Sequence, residues 1–413
     1  MRKITAWLDH HLGYVLVIPA LIFIIVFSLW PIAESLKFSF FDFQLNDQQK
    51  SGLYFTEQYN LSLMHETFEY IDYYLEIEKD TVKQNDTKEM IDETRQMILE
   101  TYDGIKGMFS EQEGIVPIDH DEREFLMKSS DKVTTGLKEL YQREDEFSLE
   151  EDMMMVAAEL ETAIIQPNFV GLRNFKAILK DPRIWQTIIV TLFFTAVSVG
   201  MELVFGLMLA LIMNKAMAGR GLIRTFSLIP WAIPTSVAAL MWGYLYNGSS
   251  GIIAFGLERI GLIAQSTDLM LTSTSALWSI IFADVWKTTP YFGLLLLAGL
   301  QVIPTSLYES SVLDGANKWK QFLHITLPLL KPSILVALLF RTLDAFRVFD
   351  LIWVLTGGGP GGTTESISIY AYKVMFAQTR FGYGAAIILI MALCVGVISY
   401  LYIKFLDIQL ISD

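Results

Sequence analysis

Pro304-Thr305-Ser306-Leu307-Tyr308-Glu309-Ser310-Ser311-Val312-Leu313-Asp314-Gly315-Ala316, continued by Asn317-Lys318-Trp319-Lys320-Gln321-Phe322-Leu323-His324-Ile325-Thr326-Leu327-Pro328, lies between two long apolar runs. It reads as helix, turn, helix. Ser306 and Glu309 have capping-box spacing, in which hydroxyl and carboxylate satisfy open backbone donors at a helix start, worth about 1 kcal/mol. Gly315 permits the left-handed turn that ends a helix, and Pro328 and Pro332 are expected to close the second element before the next apolar run. Ser310, Ser311, Gly315 and Ala316 are small and let another polypeptide approach closely, while Leu307, Leu313, Trp319, Phe322 and Leu323 supply apolar contact.

The flanking runs reach membrane-spanning length, about 20 residues at a rise of 1.5 Å each. Six are predicted, over approximately Gly13–Trp30, Ile184–Ile212, Ile223–Leu245, Ala276–Ile303, Ile334–Val354 and Ala385–Phe405. Arg2 and Lys3 ahead of the first also suit a signal peptide. That run is longer than a usual signal core, however, and Ile32-Ala33-Glu34 is a poor cleavage site, so an uncleaved span is expected. The chain is 53% hydrophobic yet has a formal charge of −14, a pairing that a single water-soluble core does not usually carry. The two tendencies are segregated: residues 44–168 hold 30 acidic and 11 basic side chains, so the rest of the chain is net positive.

Basic residues are retained on the cytoplasmic side of short loops. Arg2 and Lys3, then Lys215, Arg220 and Arg224, then Lys318, Lys320 and Lys331, and finally Lys404 place both termini inside. The acidic segment is then outside. Lys373 and Arg380, in an outer loop, are a partial exception. Within the acidic segment, Ile91, Thr94, Ile98, Thr101, Ile105 and Met108 recur at helical spacing, as do Leu126, Val133, Leu137 and Leu140. Gly114 and Pro117 break the two stretches, which predicts a helical hairpin or small bundle whose acidic faces are solvated.

The spacing Glu309-Ser310-Ser311, Gly315, Ile325-Thr326-Leu327-Pro328 resembles the coupling segment of the binding-protein-dependent permeases of ATP-binding-cassette importers. That segment has the form Glu-Ala-Ala, three residues, Gly, nine residues, Ile-x-Leu-Pro. Serines stand here where alanines are usual, which keeps the residues small. The likeness extends to Asp314-Gly315-Ala316, to Leu228-Ile229-Pro230-Trp231-Ala232-Ile233-Pro234 and to Leu355-Thr356-Gly357-Gly358-Gly359-Pro360-Gly361-Gly362 with Thr364. Phe169-Val170-Gly171-Leu172-x-Asn174-Phe175 and Phe381-Gly382-Tyr383-Gly384-Ala385-Ala386 are similar to the carbohydrate branch, that of the maltose-system permeases.

The resemblance implies an all-α integral membrane protein of the bacterial cytoplasmic membrane, with six transmembrane helices of the type I ABC importer permease fold. A helical extracytoplasmic insert lies between the first and second spans. The expected divisions are residues 1–43 (N-terminus and first helix), 44–168 (acidic insert) and 169–413 (core permease with the coupling helix at 304–329). The coupling residues would be Glu309, Ser310, Ser311, Asp314, Gly315, Ala316, Ile325, Leu327 and Pro328. The implied partners are a second permease subunit in a heterodimer, two ATPase subunits that use ATP and magnesium, an extracytoplasmic solute-binding protein, a sugar or oligosaccharide, and membrane lipid. In the maltose-type permeases a large external insertion occupies the corresponding place and touches the binding protein.

No Gly-x-x-x-x-Gly-Lys-Ser/Thr phosphate loop occurs in the chain, so no ATP or other cofactor is expected on it, and it reads as a transport subunit without enzymatic activity. Residues 357–362 are glycine-rich without the lysine and read as an outer turn. The fifth predicted span holds Arg341, Asp344, Arg347 and Asp350, the fourth Asp284 and Lys287, and the second the lone carboxylate Glu202. Each such charge costs about 2.5–3.5 kcal/mol at a bilayer centre, so these groups line a polar translocation path or pair between helices. On one continuous helix, adjacent members of the Arg341 series can pair, while Arg341 and Asp350 fall on opposite sides. Pro230, Pro234 and Pro290 are expected to interrupt spans and free carbonyls toward a cavity.

His10, His11, His65, His120 and His324 have no metal-ligand spacing, Cys394 has no partner for a disulfide, and the overall negative charge disfavours nucleic acid. Two other functions fit a membrane chain with an external insert: a receptor or sensor, which expects a signalling domain beyond the last span, and an ion-coupled secondary transporter, which expects uptake without nucleotide.

Overall fold

The computed structural model describes residues 17–110, 112–142, 147–215 and 219–410, the side chains of Arg220 and residues 406–410 excepted. Arg2, Lys3, His10, His11, the start of the first span at Gly13 and the side chain of Arg220 lie outside that description. In chain order the elements are α1 (Val17–Ser39), β1 (Gln58–Asn60), α2 (Leu61–Thr81), α3 (Asn85–Met108), β2 (Ile115–Pro117), α4 (His120–Tyr141), α5 (Glu150–Thr162) and β3 (Ile164–Ile165). There follow α6 (Arg173–Lys180), α7 (Pro182–Asn214), α8 (Arg220–Ala232), α9 (Thr235–Leu245), α10 (Ile252–Arg259), α11 (Asp268–Leu271) and α12 (Ser273–Val302). The chain ends with α13 (Thr305–Leu313), α14 (Lys318–Phe346), α15 (Asp350–Thr356), α16 (Ile367–Ala377) and α17 (Phe381–Leu410). It divides into two compact units: residues 40–172 with 379–382, and the remainder.

The smaller unit is a four-helix bundle with a short antiparallel sheet in the order β2-β1-β3. Met64, Ile71 and Leu75 of α2, Ile91 and Ile98 of α3, Val133 and Leu137 of α4 and Met153 of α5 are fully or almost fully buried together. The helical spacing read from the sequence holds for Ile91, Ile98, Thr101 and Ile105, whereas Thr94 is half-buried and Met108, at the helix end, is exposed. Asp119 accepts from the Glu122 amide and Glu122 from the Asp119 amide, each at 2.8 Å, a reciprocal cap that starts α4. The outer faces carry exposed and half-exposed carboxylates with a few ion pairs, such as Arg95–Asp72 at 2.5 Å.

Among the described residues of the larger unit, five helices are long and apolar enough to cross a membrane, and α8 with α9 makes a sixth if that bent pair is one span. Phe23 and Phe27 of α1 are 66% and 69% exposed, and Leu393 and Val397 of α17 face outward. Apolar surface of this extent calls for lipid around it. Inside, α7, α12 and α14 pack around Phe194, Phe292, Leu296, Leu300 and Leu330. Small residues let the backbones close: a Cβ placed on Gly206 would lie 3.0 Å from Phe292 Cδ1, and one on Gly293 would lie 3.2 Å from the Gly206 carbonyl oxygen.

Several span boundaries differ from those expected, and proline chemistry explains most of the differences. The first helix runs on past Trp30 and Pro31 to Ser39, and the fifth begins at Lys318 instead of Ile334. Each contains a π-helical stretch, Ile25–Leu29 and Phe322–Thr326, that ends two residues before a proline, Pro31 and Pro328. The wider turn shifts the hydrogen-bond register where the ring supplies no N–H, so Pro328 and Pro332 do not close an element before the span. Pro230 and Pro290 lie within unbroken helices. Only Pro234 marks a break: Ile233 before it is extended, as a residue preceding proline prefers, and α8 and α9 meet at 90°. The predicted run to Val354 stops at Phe346, because Arg347 and Phe349 leave helical geometry before α15.

Gly206→Leu is expected to lower the thermal midpoint of the detergent-purified chain by the equivalent of about 1–3 kcal/mol. Gly200→Leu on the same helix, where a Cβ meets nothing, should leave it unchanged. Equal midpoints for the two variants would disprove the close-packing account.

Candidate functional site: a buried arginine and an exposed helix

Arg341 is 2% exposed and joins three spans. Its Nε donates to Glu202 Oε2 of α7 at 2.6 Å, its Nη2 donates to Asp284 Oδ2 of α12, and its Nη1 donates to Asp344 Oδ2 one turn along α14 at 2.8 Å. Thr288 Oγ1 donates to the other Glu202 oxygen at 2.6 Å. Glu202 is therefore not a lone carboxylate, and the expected Asp284–Lys287 pair is not made. Asp284 is taken by Arg341, and Lys287 Nζ instead donates to the Trp231 carbonyl oxygen at 3.3 Å. The Arg341–Asp344 pairing expected from spacing is present. The helix-phase argument fails beyond it, since the chain leaves the helix at Arg347, and among the described residues neither Arg347 nor Asp350 forms an ion pair.

These breaks converge on a cavity of about 310 Å³. Asp284, Lys287, Arg341, Asp344, Arg347 and Asp350 all line it. Trp231, at the end of α8, lines it too, and its ring stacks on Tyr291 of α12 with centroids 5.4 Å apart and planes 15° from parallel. Lys287 and Tyr291, one helical turn apart, thus hold Trp231 at the bend. Carboxylates, ammonium and guanidinium groups beside an indole face provide hydrogen-bond donors and acceptors with an apolar wall, which suits a polyhydroxylated solute.

α13 has no buried residue. Its N-cap is Pro304, in extended geometry and without a side-chain cap bond, so the Ser306/Glu309 capping box is not formed: those two residues already lie inside the helix. Its C-terminal signal is realised in full. Gly315 sits at φ +79°, its N–H donates to the Val312 carbonyl oxygen at 3.0 Å, and the Ala316 N–H donates to the Ser311 carbonyl oxygen at 2.8 Å, which is a Schellman closure. Glu309, Ser310, Asp314, Gly315 and Pro328 are exposed, whereas Ser311, Ala316, Ile325 and Leu327 are half-buried. Ser311 is turned inward: it accepts from Gln321 Nε2 at 2.9 Å, and the same amide donates to the Tyr308 carbonyl oxygen at 3.2 Å. Tyr308 Oη lies 3.0 Å from Thr326 Oγ1. Gln321, only 3% exposed, and Tyr308 are the anchors of this element and were missed in the sequence.

A second buried ionic cluster was also missed. Glu365, 1% exposed, receives both arms of Arg183, at 2.8 and 2.9 Å, and pairs with Lys373 at 2.8 Å. Lys373 Nζ also donates to the Gly357 carbonyl oxygen at 2.8 Å, so the lysine that broke the charge pattern of the loops holds the glycine turn. Gly358, at φ +88°, leaves a Cβ only 3.2 Å from that of Glu365. Burial alone would raise the Glu365 carboxyl, but hydrogen bonds from Arg183 and Lys373 outweigh it and hold the group below its ordinary value.

Two outcomes follow from this geometry. Arg341→Gln leaves two buried carboxylates unpaired and should cost about 3–5 kcal/mol, read as loss of monodisperse protein in detergent. Adding Glu202→Gln and Asp284→Asn should recover it, and a triple variant no better than the single would refute the pairing. For Glu365, a depressed folded value means that its stabilisation is complete above the unfolded carboxyl value of about 4.3 and is lost as pH falls through the folded one. The thermal-midpoint gap between wild type and Glu365→Gln should therefore be widest above that value and close in stronger acid.

Residues 202–410 match the family described as binding-protein-dependent transport system inner membrane component. The chain is 46% identical over 243 residues to the trehalose/maltose transport system permease protein MalF of Thermococcus litoralis, covering 59% of this chain and 81% of the relative. It is 44% identical over 236 residues to the trehalose transport system permease protein SugA of Mycobacterium tuberculosis, covering 57% and 74%. Among solved structures, a chain of the bacterial alginate ABC transporter in complex with its alginate pentasaccharide-bound periplasmic protein aligns at a TM-score of 0.52 and 25% identity, over 57% of this chain and 82% of that one. These matches favour transport over the receptor and ion-coupled alternatives. With a helical, membrane-spanning core of type I permease fold, the chain belongs to the binding-protein-dependent transport system inner membrane component family and is the membrane permease subunit of an ABC importer, not itself an enzyme.

Proposed function

We propose that this permease imports a sugar or oligosaccharide through the cavity beside Arg341, and the observation that carries this is the cavity itself: charged hydrogen-bonding groups and an indole face on one wall between the spans. The sugar names of the related permeases support the same class. Asp284, Lys287, Asp344, Arg347 and Asp350 would meet solute hydroxyls, while Arg341, held by three carboxylates, positions the wall. The exposed face of α13, with Glu309, Ser310, Asp314 and Gly315, would be the handle gripped by an ATPase subunit, and Ser311, Ala316, Ile325, Leu327 and Pro328 would set its shape against α14. Two such ATPase subunits bind the ATP and magnesium, and a second permease subunit completes a heterodimeric path.

In this reading the chain lies in a bacterial cytoplasmic membrane with both termini inside. The acidic residues 44–168 lie outside, with 1–43 and 169–413 forming the membrane part, and the bundle α2–α5 meets the extracytoplasmic binding protein. Lys215, Arg224, Lys318, Lys320 and Lys331 fall on the proposed inner side, and Lys373, which pairs with Glu365, and Arg380 are the partial exception to it.

Uptake of labelled trehalose or maltose by cells carrying the complete transporter tests the coupling role. Gly315→Pro and Glu309→Lys should abolish uptake while the protein still inserts and assembles, and uptake that persists would refute the handle. Deleting residues 61–150 should reduce ATPase stimulation by the binding protein, and unchanged stimulation would remove the bundle from that contact.

A further inference from the structure

We propose that a second cavity, separate from the solute path, binds the headgroup of an anionic phospholipid. It measures about 540 Å³ and is formed where the end of α7, the end of α12, Tyr308 of α13 and the start of α14 meet. Leu211, Leu300 and Phe322 line it, together with Trp319 and the exposed lysines Lys215 and Lys318. Leu211 and Leu300 belong to the terminal turns of membrane-spanning helices, so the cavity lies at one end of those spans. Trp319, 66% exposed, is of the residue type that settles at headgroup depth.

Charge decides the kind of lipid. Among the described residues neither Lys215 nor Lys318 forms an ion pair, and Lys318 Nζ finds only the Gln321 amide oxygen, at 3.3 Å. Two uncompensated ammonium groups above an apolar wall match a phosphate carrying acyl chains, and basic pockets between spans on the inner side are the usual seat of such headgroups. A protein occupant fits less well. Of α13, Tyr308 lines the cavity, but the most exposed apolar residue of the handle, Leu313 at 89%, does not, nor do Glu309, Ser310 and Asp314, so a polypeptide gripping the exposed face of α13 need not enter it. The inference rests on the proposed inner placement of residues 304–328, but not on the identity of the solute.

The complete transporter, reconstituted in phosphatidylcholine nanodiscs doped with a photoactivatable phosphatidylglycerol, provides the test. Mass spectrometry should find label on the peptides that contain Leu211 and Phe322. Lys215→Gln with Lys318→Gln should reduce it about tenfold or more, while Lys215→Arg with Lys318→Arg keeps it. Excess inorganic phosphate should not displace the label; displacement would indicate a free-anion site and overturn the proposal. Equal labelling by a photoactivatable phosphatidylcholine, or labelling indifferent to the glutamine pair, would also overturn it. So would efficient crosslinking of Trp319→Cys to an ATPase subunit with no lipid label, which would assign the cavity to a protein. Because sugar uptake is not the readout, failure here leaves the transport reading standing.

Discussion

A guanidinium buried among three carboxylates is the constraint on which the membrane core depends. Within a bilayer an unpaired Glu202 or Asp284 would be prohibitively costly, and Arg341 is the group that compensates both. Because those carboxylates stand on different spans, satisfying one arginine fixes the relative register of α7, α12 and α14. The close approach of α7 to α12 at Gly206 and Gly293 follows the same register, since a one-residue slip would separate the glycines as well as the charges. The cavity is a consequence of this arrangement. Asp344, Lys287, Arg347 and Asp350 gather where Arg341 has brought the helices together, and among the described residues Arg347 and Asp350, which follow the break after Phe346, form no ion pair.

The chain manages proline in two ways, and the difference shapes the site. Where a helix must continue past Pro31 or Pro328, a π-helical turn absorbs the missing donor and the span remains intact. At Pro234 the residue before it is extended and the span folds back at a right angle, which delivers Trp231 to the cavity with Lys287 and Tyr291 to hold it. The glycine turn after α15 is fastened by Lys373, which also pairs with Glu365. The two devices set where the wall of the cavity bends and where the glycine turn is held.

The two units obey one rule of burial in two solvents. In the α2–α5 bundle, aliphatic stripes turn inward and carboxylates outward, as water demands. In the membrane unit, α1 and α17 present aliphatic and aromatic side chains outward while the arginine and two carboxylates sit inside. Lys215, Lys318 and Lys320 of the membrane unit stand at helix ends, and the proposed lipid site is one local expression of that placement.

Composition, run length and motif spacing in the linear chain established the membrane class, the approximate spans, the permease family resemblance and the left-handed closure at Gly315, because each depends on residues near one another in sequence. The helical stripe of α3 was legible for the same reason. The strands of two or three residues were not, since they are too short to show a period. Nor could adjacency reveal that Asp284 belongs to Arg341 and not to Lys287, that Ser311 faces Gln321, or that Glu365 binds Arg183: these partners lie 57, 10 and 182 residues apart. Tertiary packing alone decided them, because a buried charge or amide takes the nearest complementary group in space, and only the folded spans determine which group that is.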